Sequence, residues 1–296
     1  MRIVSLVPHA TELLFALGLG DDVVGVTHEC DYPPEAADLQ PVTSNVLPEG
    51  LGPAEIDAAV RERTAQGASI YELDEELVRE LEPDLIVTQA LCHVCAVSVD
   101  EVQALAQTLP GPPAVISLDP ATYGETLGDI RTVAQATDSK DAALDLIART
   151  ARRADVIRLA VRGAPRPRVA ALEWLDPVFV AGHWTPQLIE MAGGEDVLGF
   201  PGEPSRVVTW EEVAAGQPEI VIVMPCGYDA ARALVEAEEF ADRLRGLGAD
   251  QVVAVNASSY FSRPGPRLAD GLELLAHIMH PDRVPSAPAE ALAVEL

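Results

Sequence analysis

The sequence predicts an α/β protein made of two Rossmann-like lobes with mostly parallel sheets, joined by a single long backbone helix, with a ligand cleft between the lobes. Three observations carry this expectation. Short apolar runs alternate with helix-spaced segments in each half of the chain, residues 123–162 between them show no strand signal, and several apolar runs lead straight into loops rich in Cys, His and aromatic residues. In open α/β sheets, ligands bind where strands deliver their carboxyl ends into loops.

The elements follow in order. Residues 3–7 read as a strand, 11–17 as a helix closed by Gly18 and Gly20, and 23–26 as a second strand. Residues 53–64 have the look of a helix that begins at a proline. Residues 75–81 form a helix stopped by Pro83, 85–88 a buried strand, 99–109 a helix ending before Pro110, and 115–118 the last strand of the first half. Residues 139–161 carry Ala142, Leu146, Ala151, Ala154, Ile157 and Val161 at near-helical spacing. A helix of that length covers about 30 Å. Pro165 and Pro167 end it, and the alternation restarts: strand 169–172, helices 185–192 and 209–214, strand 220–223, helix 229–235, strand 252–255 and helix 268–278. The expected domains are a lobe over residues 1–138, a connecting helix over 139–163, a lobe over 164–283 and a mobile tail over 284–296, whose residues are small, acidic and punctuated by proline.

Composition narrows the function. With 47 acidic and 20 basic residues among 296, a formal charge of -27, the chain repels nucleic acid and anionic lipid. The acidity reads mainly as a solubility trait. No stretch reaches the roughly 18–20 apolar residues that span a bilayer. The amino terminus has no apolar core or cleavage site of the secretory kind, which predicts a cytoplasmic protein, or a periplasmic or cell-surface one if a signal peptide was removed. No nucleophile elbow, phosphate-binding loop, His-Glu-x-x-His helix or dinucleotide fingerprint occurs, so the chain is expected not to be an enzyme.

Four cysteines, Cys30, Cys92, Cys95 and Cys226, follow strand-like runs. Cys92-His93-Val94-Cys95 is a CxxC, and with Cys30 and Cys226 it would make a four-thiol set suited to zinc or an iron–sulfur cluster. The competing reading is of small buried hydrophobes. His9 follows the first strand, and His183 lies in a Gly-His-Trp-Thr-Pro loop. Either imidazole could coordinate a cobalt or iron centre or donate to a ligand carboxamide, and either could equally be a satisfied structural polar group. Trp184, Tyr32, Tyr228, Tyr260 and Phe261 fall near strand ends or in loops, where aromatic faces hold flat ligands. Arg263 and Arg267 flank Pro264-Gly265-Pro266 and could fork onto a ligand carboxylate or phosphate, or fix the turn by a salt bridge.

The opening Arg2-Ile3-Val4-Ser5-Leu6-Val7-Pro8-His9-Ala10-Thr11-Glu12, then Leu81-Glu82-Pro83-Asp84-Leu85-Ile86-Val87, Met191-Ala192-Gly193-Gly194 and Ile220-Val221-Ile222-Val223, resemble the helical-backbone (class III) substrate-binding proteins. Within that group, His28-Glu29-Cys30-Asp31-Tyr32-Pro33, Leu91-Cys92-His93-Val94-Cys95-Ala96 and the 261–267 turn resemble a cobalamin-binding-like branch, related to periplasmic cobalamin and iron-siderophore receptors. The resemblance implies a non-catalytic binding protein for cobalamin or a related metal chelate held between lobes by aromatics. It leaves two alternatives open: a metal or iron–sulfur protein built on the four cysteines, and the substrate-binding component of an ABC importer whose export signal is absent from this chain. Glu12 and residues 72–76 invite comparison with the glutamates by which exported receptors dock on a transporter permease, although a solvated face is the simpler reading.

Overall fold

The computed structural model describes residues 1–48, 50–51, 53–65, 69–90, 97–289 and 291–296. The chain forms two compact units, one from Met1–Pro120 with Leu127–Ile147 and the other from Ala121–Thr126 with Ala148–Leu296.

The first unit opens with β1 (Ile3–Ser5), α1 (Pro8–Ala16), β2 (Val23–Gly25), β3 (Thr43–Asn45) and α2 (Pro53–Ala65). It continues through β4 (Tyr71–Leu73), α3 (Glu75–Leu81), β5 (Leu85–Thr88), α4 (Val99–Thr108) and β6 (Ala114–Ser117). Strands pair in parallel in the order β2-β1-β5-β6, while β3 and β4 form a separate antiparallel ribbon. The sheet is covered on both faces, which is why β1 and β5 read as uninterrupted apolar runs. Alternation sorts the side chains: Ile3 and Val87 meet Leu13 and Leu14 of α1 and Leu17 just after it, whereas Val4 and Ile86 meet Val78 of α3 and Val102 and Leu105 of α4. Each such buried aliphatic side chain contributes about 1.5–3 kcal/mol. The starts of α3 and α4 are capped by local side chains. Asp74 accepts the N–H of Leu77 at 2.9 Å, and Ser98 accepts that of Glu101 at 3.2 Å.

Two helices carry the chain from one unit to the other, α5 (Tyr123–Thr137) and the 21-residue α6 (Lys140–Ala160). Unit boundaries fall within both helices.

The second unit contains β7 (Arg168–Leu175), β8 (Val178–Val180), α7 (Thr185–Met191), β9 (Glu195–Asp196), β10 (Arg206–Val207), α8 (Trp210–Ala215) and β11 (Ile220–Val223). Then come α9 (Ala230–Glu239), α10 (Ala241–Arg245), β12 (Gln251–Val255), α11 (Ala257–Tyr260), α12 (Leu268–Met279) and β13 (Ala291–Ala293). Its sheet runs β10-β8-β7-β11-β12-β13, with β9 beside β7. The centre is parallel, while β8 and the edge strands β10 and β13 pair antiparallel. Ala170, Leu172, Val221, Val223 and Ala254 pack one face against Val213 of α8, Ala233 and Ala237 of α9 and Leu244 of α10.

The carboxyl-terminal segment corrects the expectation of a mobile tail. Residues 291–293 pair antiparallel with β12, the N–H of Val294 donates to the carbonyl of Val252 at 2.9 Å, and Val284 and Val294 are buried. The physical reason is the sheet edge: β12 would otherwise present a row of unpaired backbone groups.

Candidate functional site

In the first unit, β1 and β2 deliver their carboxyl ends into residues 6–9 and 26–30. The N–H of Glu29 donates to Thr27 Oγ1 at 3.1 Å, and the N–H of His28 donates to Thr43 Oγ1 at 3.2 Å. The Nδ1 of His28 lies 2.8 Å from the same Thr43 hydroxyl, and its ring sits 5.3 Å from that of Tyr71. The Tyr71 hydroxyl in turn donates to Glu29 Oε1 at 2.9 Å. Together these fix an exposed imidazole and an exposed carboxylate beside the β3–β4 ribbon. Between Leu6 and Pro8 after β1, Thr27 and Glu29 after β2, and Thr43 and Tyr71 of the ribbon lies a cavity of about 10 Å³.

The sequence motif contains His28 and Glu29 but gives them no role, and nothing in it points to Thr43 or Tyr71. The available signal was Thr27-His28-Glu29 directly after an apolar run. What hid the constellation was distance in sequence, since Tyr71 reaches Glu29 across 42 positions.

The other expected residues of this unit fare differently. His9 is buried in the first turn of α1, whereas Tyr32 is exposed. Cys30 belongs to the apolar core, with its sulfur 3.1 Å from Thr11 Oγ1 and 3.4 Å from Thr27 Oγ1. Cys92 and Cys95 lie outside the described residues, and Cys226 is exposed on the loop after β11 in the second unit. Among the described residues no group of three or more His, Cys, Asp or Glu is disposed to hold a metal ion. The expectation of zinc or an iron–sulfur cluster on Cys30, Cys92, Cys95 and Cys226 gains no support, because the buried Cys30 thiol is engaged with hydroxyl groups.

The second unit holds most of the expected aromatic residues. Trp184, Tyr228 and Phe261 are buried. The indole N–H of Trp184 donates to the carbonyl of Phe261 at 2.7 Å. The Tyr228 ring meets Trp174 edge-on at 5.6 Å and lies under the Arg232 guanidinium at 3.7 Å, which also donates to its hydroxyl at 3.0 Å. Burial raises the Tyr228 phenol above its ordinary range. Tyr260, Arg263 and Arg267 remain half-buried at the end of α11 and along the following turn, where the N–H of Gly265 donates to the carbonyl of Arg263 at 2.8 Å and the Arg267 guanidinium stands 5.8 Å from the Tyr260 ring.

His183 is held by its backbone, with φ +52, its N–H donating to the Glu203 carbonyl at 2.6 Å and its carbonyl accepting from Gly202 at 2.9 Å. Gly182 precedes it because a Cβ there would stand 2.5 Å from the Glu203 carbonyl oxygen. Burial lowers the imidazole's pKa, so the ring stays neutral at pH 7 and keeps a lone pair. Near the carboxyl end of β7, burial pushes the Glu173 carboxyl up to about 7 against the opposing effect of a hydrogen bond with Ser205, whose Oγ also accepts the N–H of Gly182 at 3.1 Å.

Residues 3–254 match the family model described as periplasmic binding protein. The chain belongs to the periplasmic binding protein family. It is 24% identical to the vitamin B12-binding protein of Vibrio cholerae, over 92% of this chain and 86% of that protein. In structure it is similar to the periplasmic vitamin B12 binding protein of Vibrio cholerae, with TM-score 0.66, 23% identity and coverage of 93% of this chain and 94% of the other. It is also similar to a periplasmic heme-binding protein from Roseiflexus, with TM-score 0.64, 25% identity and coverage of 92% and 95%. These relatives are binding proteins, and both solved ones are periplasmic, so the expectation of a cytoplasmic protein finds no support in them. Among the described residues no helix is long and apolar enough to cross a membrane.

Proposed function

We propose that this chain is a non-catalytic binding protein for a metal chelate of the corrin or porphyrin kind, with cobalamin the favoured ligand, and that it serves as the substrate-binding component of an ABC importer in the cell envelope. The observation that carries the reading is the match to a vitamin B12-binding protein along 92% of the chain. The sites are consistent with it. The first unit offers His28, Tyr71 and the exposed Tyr32 near its strand ends, and the second offers the neutral His183, the half-buried Tyr260 and the Arg263–Arg267 turn.

Heme is the second reading, favoured by the likeness to the Roseiflexus protein at 25% identity. Absorption titrations with hydroxocobalamin and with hemin separate the two. A cobalt band shift saturating at one equivalent, with hemin at least tenfold weaker, is the expected result; no spectral change with either ligand at micromolar concentration would remove the proposal. Cell fractionation tests the envelope placement, and recovery only in the cytosol would contradict it.

A further inference from the structure

Among the described residues, four other than glycine have positive φ. Three of them, Glu82, Asp138 and Gln217, stand at or just past the carboxyl ends of α3, α5 and α8, where the left-handed conformation is an ordinary way for a helix to stop. His183 is different, because it ends no helix and instead leads into α7. Glycine holds such a backbone freely, whereas an imidazole there is kept against a conformational cost. Residues in that position cluster at ligand sites and persist where the surroundings over-determine them. The surroundings of His183 do so. Its N–H and carbonyl are bound to Glu203 and Gly202, the N–H of Gly182 is bound to Ser205 Oγ, and the indole of Trp184 is bound to the Phe261 carbonyl.

The ring of His183 is left over from this network. His28, His277 and His280 each spend a ring nitrogen on a protein group: the Thr43 hydroxyl at 2.8 Å, the Val284 carbonyl at 2.7 Å and the Gly193 carbonyl at 3.3 Å. His9 is buried in α1. His183 is half-buried, and among the described residues neither of its ring nitrogens has a hydrogen-bond partner. Its ring lies beside that of the buried Trp184, with centroids 5.5 Å apart and planes inclined by 32°. A structural histidine would use its nitrogens as the other three do. An imidazole fixed through its backbone and along one face, with both nitrogens unspent, is a preorganised lone-pair donor. Imidazole nitrogen suits iron and other transition-metal centres, and a flat chelate presents such a centre along its axis.

We propose that His183 is an axial ligand to the metal of the bound chelate. The proposal rests on the reading of the chain as a chelate-binding protein and adds a rule of selection to it. Chelates whose metal carries an exchangeable axial ligand are preferred over those whose axial positions are firmly held. In the exchange, the imidazole lone pair forms the bond to the metal, the axial water leaves to solvent, and the metal keeps its oxidation state.

Hydroxocobalamin and cyanocobalamin test it, since they share ring and rim and differ in whether the upper axial ligand exchanges. The parent binds hydroxocobalamin at least about tenfold more tightly than cyanocobalamin, and the absorption bands of bound hydroxocobalamin move to those of an imidazole-ligated cobalt. His183→Gly removes the ring and relieves the backbone, so its Tm equals or exceeds the parent's. In this variant the preference falls to within about threefold of unity, and the bands stay at the water-ligated position until free imidazole is added, which restores them. A merely structural role would not be rescued in that way. His183→Asn, a residue that tolerates the left-handed backbone, serves as a second variant. Bound hydroxocobalamin with unshifted bands in the parent, equal affinity for the two cobalamins, or a band shift that survives in His183→Gly overturns the proposal. Binding of both cobalamins in that event leaves the chelate-binding reading standing, whereas failure of the parent to bind either cobalamin or hemin defeats both.

Discussion

Trp184→Phe separates packing from ligand contact. The indole N–H reaches the Phe261 carbonyl at 2.7 Å inside the second unit, and both residues are buried. Phenylalanine has no N–H, so the carbonyl is left in the interior without its donor, at a cost of about 1–3 kcal/mol. The smaller ring also leaves a void, and each methyl-sized gap costs about 1 kcal/mol. Together the substitution destabilises the unit by about 2–4 kcal/mol, at roughly 2–4 °C in Tm per kcal/mol for a unit of this size. Differential scanning calorimetry measures the loss, and a hydroxocobalamin titration below the new Tm measures the affinity. The account expects a clear fall in Tm with Kd changed by less than about threefold, since a residue within the packing spends its energy on folding. An unchanged Tm with a tenfold weaker Kd would show that the Trp184 ring meets the ligand, and would refute the reasoning.

Other consequences concern pH and close packing. Burial pushes the Glu236 carboxyl up to about 7, opposed by Arg232 and assisted by Glu239. The folded state thus holds a proton that the unfolded chain loses above about pH 4.5, so stability falls as pH rises from there to about 7, by up to about 3 kcal/mol, and levels off above. Urea titrations across that range should show the decline, and Glu236→Gln should flatten it; a variant whose pH profile overlays the parent's would contradict the assignment. Gly182→Ala places a Cβ 2.5 Å from the Glu203 carbonyl oxygen, against backbone that cannot swing aside. It should cost more than about 2 kcal/mol in the same assay, and a neutral result would show that the loop yields. Arg153 bridges Glu273 at 2.6 Å and Asp270 from α6 to α12 within the second unit, but it is 37% exposed, so solvent screens the pair. Arg153→Met should therefore cost only about 1 kcal/mol, less at high salt, and a loss that ignores salt would point to packing instead.

The central strands were legible because strands covered on both faces read as unbroken apolar runs, as in Leu85–Thr88 and Ile220–Val223. The long helix was legible from its spacing and from the prolines that close it. The strands that escaped notice, Thr43–Asn45, Tyr71–Leu73, Val178–Val180, Glu195–Asp196, Arg206–Val207 and Ala291–Ala293, are two or three residues long and lie at or beside sheet edges or in a ribbon. Too few residues alternate there for a period to emerge. Site residues were harder for a related reason. A loop position says where an aromatic ring starts but not which way it turns, and the hydrogen bond from Trp184 to Phe261 turns that ring into the core.

The central claim is that this chain binds an intact corrinoid as cargo. Native mass spectrometry of the protein with a small excess of hydroxocobalamin tests it most directly. The account predicts a single adduct of one corrinoid per chain that survives dilution to micromolar concentration. A spectrum showing only the unliganded chain at tenfold excess ligand would contradict it.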